Sequence, residues 1–340
     1  MNKIETIGII GDGRMGHSIF RHLYNYNYKL IWINLTTYKE ESEKLIRKLN
    51  RFLSKNIISQ EEYDQKTSSI IITNRLEKIN DCDLIIETVN EDINIKNSLF
   101  DDLELNTKPN AIIVSNSSSI LPDKYLLSEK HKPSLCGFHF FYPVETNKMV
   151  EIIPSSSTSD ETINILINFA KAIEKTSFLQ SNNNAFAINR FFLEIQSGLF
   201  NFCVKNNIPF ADADNAVKSN IFPLGIFETM DIIGLRILEY AIGNYIEMQK
   251  ESSHILPMLD FLKAKMKEGK KGLIDNEGFL KYPLDNLIVD LKVENKICDF
   301  LKSLISKTAD NYIQKRIFQD LKEVEFIISE YTNSEFVFKK

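Results

Sequence analysis

The feature that most constrains this chain is a glycine-rich hexapeptide, GDGRMG at residues 11–16, which follows the apolar run TIGII at residues 6–10. A helix-like segment comes next, and a second apolar run ends at residue 33. A glycine-rich turn between a buried strand and a helix is typical of dinucleotide-binding domains. The chain has only twelve glycines, so three of them at this spacing favour a dinucleotide loop over an ordinary tight turn.

Each glycine has a separate part in such a loop. Gly11 permits the tight turn, Gly13 lets a pyrophosphate approach the backbone, and Gly16 lets the helix pack against the strand. The N–H groups of the first helical turn, at Arg14 and Met15, would face the phosphates. These five residues are the predicted phosphate-binding part of a dinucleotide site.

The residue expected at the adenosine ribose departs from the usual pattern. An acid is expected about 20 residues after the loop, whereas this chain has Asn34 at the end of the second apolar run. Asparagine can still accept a hydrogen bond, but it lacks the negative charge that repels the 2′-phosphate of NADP. No arginine follows to receive that phosphate, and Lys39 is the nearest cation. The sequence therefore predicts NAD rather than NADP, with Asn34 at the ribose.

A series of apolar runs rich in β-branched residues alternates with amphipathic stretches in the first half of the chain. The runs are residues 6–10, 29–33, 69–73, 83–89, 111–115, 135–141 and 149–153. Apolar runs of this kind are typical of a parallel sheet that is covered on both faces, and the helices between them imply βαβ units. The sequence predicts an α/β, Rossmann-like N-terminal domain with a mostly parallel, doubly wound sheet, and it leaves the strand order open.

The pattern changes near residues 182–184, where SNNN at residues 181–184 is the predicted hinge. From residue 185 onward, apolar residues recur at helical spacing, so an all-α C-terminal domain is expected. The predicted parts are a Rossmann-like domain over residues 1–183 with a helical insertion at about residues 36–66, an all-helical domain over residues 184–282, and a helical extension over residues 283–340.

Composition restricts the class of function. A net charge of −5 argues against a nucleic-acid partner, and no apolar run reaches the ~18 residues that a membrane span needs. The chain starts without a signal-like segment. Its four cysteines lie far apart without a CxxC spacing, which suits buried thiols in a reducing compartment better than disulfides or a metal site. We expect a cytoplasmic protein without a metal.

Several segments occur in a fixed order along the chain, which are GDGRMG (11–16), IIETVNEDINIKNSLF (85–100), SNSSSI (115–120), GFHFFYPV (137–144), MVEII (149–153), AINR (187–190), FPLGIFETMDIIGL (222–235) and NEGFLKY (276–282). Through these segments the chain resembles the L-3-hydroxyacyl-CoA dehydrogenases from residue 6 to about residue 282. The resemblance implies NAD-dependent interconversion of a 3-hydroxyacyl thioester and its 3-oxoacyl form. It also implies that the helical domain over residues 184–282 binds the substrate and forms a homodimer.

The resemblance assigns four residues to the reaction. Ser118 would contact the substrate hydroxyl, His139 would act as the base, Glu151 would orient His139, and Asn189 would bond the substrate oxygen. Oxidation of a secondary alcohol sends a hydride to the nicotinamide while a base takes the hydroxyl proton, and imidazole titrates near neutral pH. Taken singly, each residue also suits a structural role, such as a core histidine, a strand-edge charge, a turn serine or a helix-terminal asparagine.

Three further positions are implied near the nicotinamide. Glu91 and Lys96 match family positions that line this side of the cofactor, although each could equally be a charge at a strand end. Tyr142 stands where the family usually has an asparagine near the nicotinamide ribose. Tyr142 and Asn34 are departures from the family that put its usual substrate in doubt.

Basic residues follow one face of the predicted insertion at three- and four-residue spacing, namely Lys44, Lys48, Arg51 and Lys55. In the family this region meets the CoA nucleotide, so Lys44, Lys48 and Arg51 are predicted substrate contacts. The same stripe would suit an acyl carrier protein, or it could be a solvated helix face. The sequence leaves four activities open: oxidation of a CoA thioester, the same oxidation of a carrier-bound (for example glyceryl) group, oxidation of a free hydroxy acid or sugar acid, and cofactor binding without catalysis.

Overall fold

The structure is a computed structural model that describes residues 3–180, 184–248, 252–284 and 289–331. The chain divides into two compact units, Met1–Ala185 and Phe186–Lys340. Apart from Asn184, the predicted hinge at residues 181–184 lies outside the described residues.

The first unit is built on an eight-stranded sheet with the order β3-β2-β1-β4-β5-β6-β7-β8. The strands are β1 Thr6–Ile10, β2 Lys29–Ile33, β3 Ile70–Thr73, β4 Leu84–Glu87, β5 Ile112–Ser115, β6 Leu135–Phe140, β7 Met149–Pro154 and β8 Thr176–Leu179. Every neighbouring pair is parallel except β6 with β7. The predicted Rossmann-like, mostly parallel sheet is confirmed. The strand order reverses between β1 and β4, and such a switch point is where open α/β sheets bind ligands.

Helices link the strands of this unit. They are α1 Arg14–Leu23, α2 Tyr38–Ser54, α3 Gln60–Ser69, α4 Ile93–Asn106 and α5 Asp160–Ala172. Two apolar clusters form, one around Ile9, Trp32 and Phe138, the other around Ile85 and Phe100. Successive strand residues point to opposite faces, so two clusters are what a sheet covered on both sides requires.

Two features of the sheet were not predicted. The pair of β6 and β7 is antiparallel, and only residues 141–148 connect these strands. A parallel crossover needs about a dozen residues or more, so the short connection forces the antiparallel arrangement. Strand β8, TSFL, was missed because it has four residues and only Phe178 in it is buried.

The second unit is helical wherever it is described, apart from isolated β-bridges and short turns. Its helices are α6 Ala187–Asn206, α7 Phe210–Asn220, α8 Ile226–Ile233, α9 Leu235–Met248, α10 Leu256–Lys267, α11 Leu291–Gln314 and α12 Leu321–Ser329. Helices α11 and α12 belong to the predicted extension, of which residues 285–288 and 332–340 lie outside the described part. The predicted all-helical class of this region is confirmed.

Helix α11 packs along α6 and α7. Its buried face includes Leu301 and Ile305, both 0% exposed. Leu304 lies over Gly198 of α6 so closely that a Cβ at residue 198 would be 2.5 Å from a Leu304 methyl carbon. The extension is therefore part of the core of the helical unit and not an appendage.

All four cysteines are free and buried, as predicted. Burial raises the pKa of the Cys82 and Cys136 thiols to about 12, so they stay protonated near neutral pH. Within the described residues, no helix combines the length and the apolar character that crossing a bilayer demands.

Replacing Ile305 by alanine tests the packing of the extension. Ile305 is fully buried on α11, so Ile305→Ala should lower the free energy of unfolding by about 2–5 kcal/mol, as cavity-forming core substitutions do. Urea unfolding followed by circular dichroism measures this change. Lys302→Ala, an exposed position on the same helix, should change it by less than about 0.5 kcal/mol. Equal stability of the two variants would contradict the packing of α11.

Candidate active site

The glycine loop between β1 and α1 has the backbone that the sequence predicts. Gly11 has a φ of 128°, and a Cβ there would be 2.4 Å from the Thr88 hydroxyl oxygen. A Cβ at Gly16 would be 2.3 Å from the Gly11 carbonyl oxygen. Around Gly13, in contrast, no atom of the described residues, apart from Gly13 and its two chain neighbours, lies within 4 Å of the position a Cβ would take. Gly11 and Gly16 therefore serve close packing, and Gly13 faces open space in which a pyrophosphate fits.

The start of α1 provides a site for negative charge. Gly13 is the N-cap residue, no side chain caps this end, and the first turn contains no acid. The exposed Arg14 and the partly buried Met15 lie in that first turn. The N–H groups and dipole at a helix N-terminus attract phosphate. The residues present fit the pyrophosphate of a dinucleotide.

Asn34 lies directly after β2 and is 0% exposed. Its Oδ1 accepts hydrogen bonds from the Thr37 N–H at 2.8 Å and from the Thr37 hydroxyl at 3.2 Å. Its buried Nδ2 has no hydrogen-bond partner among the described residues. Asn34 therefore contains a buried donor without a partner in the described part of the chain, and its predicted contact with the ribose stays a prediction.

His139 on β6 and Glu151 on β7 are directly opposite each other in the antiparallel register. The histidine Nδ1 lies 2.8 Å from Glu151 Oε2, and the exposed fractions of the two residues are 6% and 0%. Residues opposite each other in an antiparallel pair have adjacent side chains, so the sheet itself makes this contact. Because Nδ1 faces the carboxylate, Nε2 is the nitrogen that would exchange a proton with a substrate.

The segment SNSSSI at residues 115–120, called the serine segment below, lies at the same edge of the sheet as His139. Ser115 ends β5 and pairs with Gly137 of the parallel strand β6. Beyond it, Asn116 Oδ1 accepts a 2.9 Å hydrogen bond from the N–H of Phe140, the residue after His139. This bond ties the start of the serine segment to the strand that carries the histidine.

Glu91 fixes the conformation of the serine segment. Its Oε1 accepts hydrogen bonds from the N–H groups of Ser118 and Ser119 at 3.0 and 3.1 Å, and from the Ser117 hydroxyl at 2.5 Å. The half-buried Ser118 has its hydroxyl 3.4 Å from the same oxygen. Glu91 is therefore placed to hold Ser118 in position, and its predicted contact with the cofactor stays a prediction.

Lys96 is 1% exposed and joins Glu91 to a second carboxylate. Its Nζ lies 2.7 Å from Glu87 Oε1 and 3.5 Å from Glu91 Oε2. Ser115 donates to the other Glu87 oxygen at 2.6 Å and contacts the Tyr125 hydroxyl at 2.9 Å. Burial, with the charges of Glu87 and Glu91, raises the pKa of Tyr125 well above its ordinary value, so the phenol stays a donor. Lys96 thus supports the serine segment through Glu91, and its direct contact with a cofactor stays a prediction.

Asn189 lies in the first turn of α6, in the helical unit. Its Nδ2 donates a 3.1 Å hydrogen bond to the hydroxyl of Tyr245 on α9. Tyr245 is 4% exposed and its ring lies 6.2 Å from that of Phe186, measured between centroids. The side chain of Asn189 is thus oriented by a buried tyrosine, and its role at the substrate stays a prediction.

Tyr142 is 53% exposed and follows β6 by two residues. The basic stripe on α2 is also exposed, but two of its charges have partners. Lys44 Nζ lies 2.7 Å from Glu41, which raises the pKa of Lys44, and Lys48 Nζ lies 4.6 Å from the centre of the Tyr24 ring. The stripe therefore offers a ligand less unpaired charge than the sequence suggests, and substrate contacts by Lys44, Lys48 and Arg51 stay predictions.

The sequence analysis missed the residues that support the site. Glu87, Ser115 and Asn116 hold the serine segment, and Tyr245 holds Asn189. Glu87 had a readable signal, since an acid ends the apolar run DLIIE. No sequence signal pointed to Tyr245, because its partner Asn189 is 56 residues away in the chain.

Comparison with known proteins identifies the family. The family model for the 3-hydroxyacyl-CoA dehydrogenase NAD-binding domain matches residues 6–183, and the model for the C-terminal domain of these enzymes matches residues 186–282. The chain belongs to the 3-hydroxyacyl-CoA dehydrogenase family. Its first unit is an NAD-binding domain, and the family's reaction is the NAD-dependent oxidation of 3-hydroxyacyl-CoA. The predictions of family, cofactor and reaction class are confirmed.

Individual relatives agree with this membership. The chain is 28% identical over 291 residues to a probable 3-hydroxyacyl-CoA dehydrogenase of Caenorhabditis elegans, covering 83% of this chain and 94% of the relative. It is 28% identical to the human mitochondrial hydroxyacyl-coenzyme A dehydrogenase, covering 82% and 91%. The crystal structure of Escherichia coli 3-hydroxybutyryl-CoA dehydrogenase shares the fold, with a TM-score of 0.72 and 20% identity over 85% of this chain and 61% of that one.

Adding a methyl group at Gly16 tests the cofactor loop. In Gly16→Ala the new Cβ meets the Gly11 carbonyl oxygen at 2.3 Å, so the loop has to shift away from its phosphate-binding geometry. We expect NADH to bind at least about tenfold more weakly, which corresponds to about 1.4 kcal/mol, in a fluorescence titration. Gly243→Ala is the matched control, since beyond its own stretch of helix no atom of the described residues lies within 4 Å of the added Cβ. Equal affinities of both variants would contradict the loop's role.

Proposed function

We propose that this chain interconverts a short 3-hydroxyacyl-CoA and its 3-oxoacyl form, with His139 as the general base. The observation that carries the proposal is the buried pair of His139 and Glu151 at the edge of the sheet where the serine segment begins. A positioned imidazole with an orienting carboxylate is the arrangement that acid–base chemistry on a hydroxyl group requires.

Each residue of the proposed site has its own role in the reaction. His139 Nε2 takes the proton of the substrate hydroxyl, while Glu151 keeps the ring in one tautomer and stabilises the imidazolium that forms. Ser118, held by Glu91, donates to the same substrate oxygen. Bound NAD supplies the acceptor for the hydride. The resemblance gives Asn189 a second hydrogen bond to that oxygen.

The substrate carrier is proposed to be CoA. The stripe on α2, in which Lys44 pairs with Glu41 and Lys48 lies over the Tyr24 ring, favours a few contacts with nucleotide phosphates over docking of a whole acidic protein. A carrier-bound group, a free hydroxy acid or a sugar acid are the alternatives. They are decided by the oxidation of NADH with acetoacetyl-CoA and with the same acyl group on an acyl carrier protein. Turnover only with the carrier protein would replace CoA as the substrate carrier, and no turnover despite NADH binding would direct the search to free acids.

Removing the imidazole tests the proposed base. His139→Ala should lower kcat for acetoacetyl-CoA reduction by ~10²–10⁴, the contribution of a positioned acid–base group, and should leave NADH binding intact. The control is His254→Ala, which removes a partly exposed imidazole that pairs with Glu194 in the helical unit. We expect the control to turn over like the wild type. Wild-type turnover by His139→Ala would remove His139 from the mechanism.

A homodimer formed through the helical domain is the assembly that the resemblance implies. Its expected mass is twice that of the 39.3 kDa chain. Light scattering of the purified protein that shows only the mass of one chain would refute it. A cytoplasmic location stays a prediction of the cysteine pattern, while the human relative is mitochondrial by name.

A further inference from the structure

Asp12 places a carboxylate in the dinucleotide loop that the glycine pattern does not require. It stands between Gly11 and Gly13, and its Oδ2 accepts a 2.7 Å hydrogen bond from the Thr36 hydroxyl. Thr36 lies three residues beyond the end of β2. Dinucleotide-binding domains place the acid that reads the adenosine ribose at the end of this strand. The contact therefore holds a negative charge from the glycine loop beside the expected ribose.

At the position where an acid usually binds the adenosine ribose, this chain has the uncharged Asn34. Asn34 is fully buried, and because the Thr37 N–H donates to Oδ1, the amide nitrogen of Asn34 is the donor that has no partner among the described residues. Since the whole side chain is buried, its contact with the ribose stays a prediction. Asn34 carries no charge that would act against a 2′-phosphate.

The cations that follow the end of β2 offer a 2′-phosphate little compensation. Lys44 lies 2.7 Å from Glu41, and Arg47 lies 3.3 Å from Glu43, both within helix α2. The exposed Lys39 has its ammonium 5.8 Å from the centre of the Tyr38 ring. Arg14, two residues after Asp12, lies in the first turn of α1 at the predicted pyrophosphate. A 2′-phosphate next to Asp12 would therefore face a like charge, while Lys44 and Arg47 already have acidic partners.

We propose that Asp12, and not residue 34, is the carboxylate that excludes NADP from this chain. The inference rests on the proposed NAD-dependent function. Asp12, held in place by Thr36, repels a 2′-phosphate through a like-charge interaction. The carboxylate that selects NAD over NADP therefore lies in the glycine loop and not at the end of β2.

The test compares the dissociation constants of NADH and NADPH and needs no substrate. Energy transfer from Trp32 reports binding, since it is the only tryptophan and its Nε1 donates to the Gly11 carbonyl at 2.8 Å. The wild type should favour NADH by at least about 100-fold, and Asp12→Asn should lower this ratio by about tenfold or more while still binding NADH. Asp101→Asn, which removes the same charge from an exposed position on α4, should leave the ratio unchanged.

Two further variants separate charge from position. Thr36→Val keeps the carboxylate but removes the hydroxyl that holds it, so the ratio should fall by less than in Asp12→Asn. Combining Asp12→Asn with Asn34→Asp returns the charge to the end of β2 and should restore the preference for NADH. An unchanged ratio in Asp12→Asn, or a wild type that binds both cofactors equally, overturns the proposal.

If the proposed function is wrong, the binding and turnover measurements give a different result. A wild type that shows the expected cofactor ratios but does not turn over acetoacetyl-CoA would refute that substrate and leave the role of Asp12 supported. A wild type that binds neither cofactor would overturn both the proposed function and this inference.

Discussion

Buried carboxylates determine how this domain builds its site. Glu87 and Glu151 are both 0% exposed on strands of one sheet, and a buried charge is tolerated only when it is paired and hydrogen-bonded. Glu87 pairs with Lys96 and accepts hydrogen bonds that support the serine segment, while Glu151 pairs with His139. The serine segment and the imidazole are thus both held by buried groups that need a polar partner.

Much of the first unit could be predicted from sequence because its strands are continuous apolar runs separated by helices. Strand β1 and the glycine loop follow from residues 6–16, where the spacing leaves little choice of fold. The antiparallel turn between β6 and β7 was not predicted, although the short connection contains the information. Strand β8 could not be predicted, because a strand with one buried residue, Phe178, shows no alternation of apolar and polar residues.

Some contacts of the candidate site could be predicted from the sequence and others could not, for a physical reason. His139 and Glu151 were predicted to meet, and the antiparallel register explains why a separation of twelve residues brings them together. Contacts such as Asn189 with Tyr245 depend on helix packing, which a single sequence does not reveal. Asp12 was hidden for another reason: it occupies a variable position of the glycine motif, and its significance appears only once its contact with Thr36 is seen.

The helical extension bears on the site through α6. Asn189 lies in the first turn of this helix, and the next residues along it contact the extension: the Phe191 ring lies 5.6 Å from those of Tyr312 and Phe318 between centroids. Such edge-to-face aromatic pairs stabilise a packing beyond their buried area. The extension is therefore positioned to fix the start of α6 from one side while Tyr245 fixes Asn189 from another. Both supports lie within the helical unit, so this unit can orient Asn189 independently of how it is placed against the NAD-binding domain.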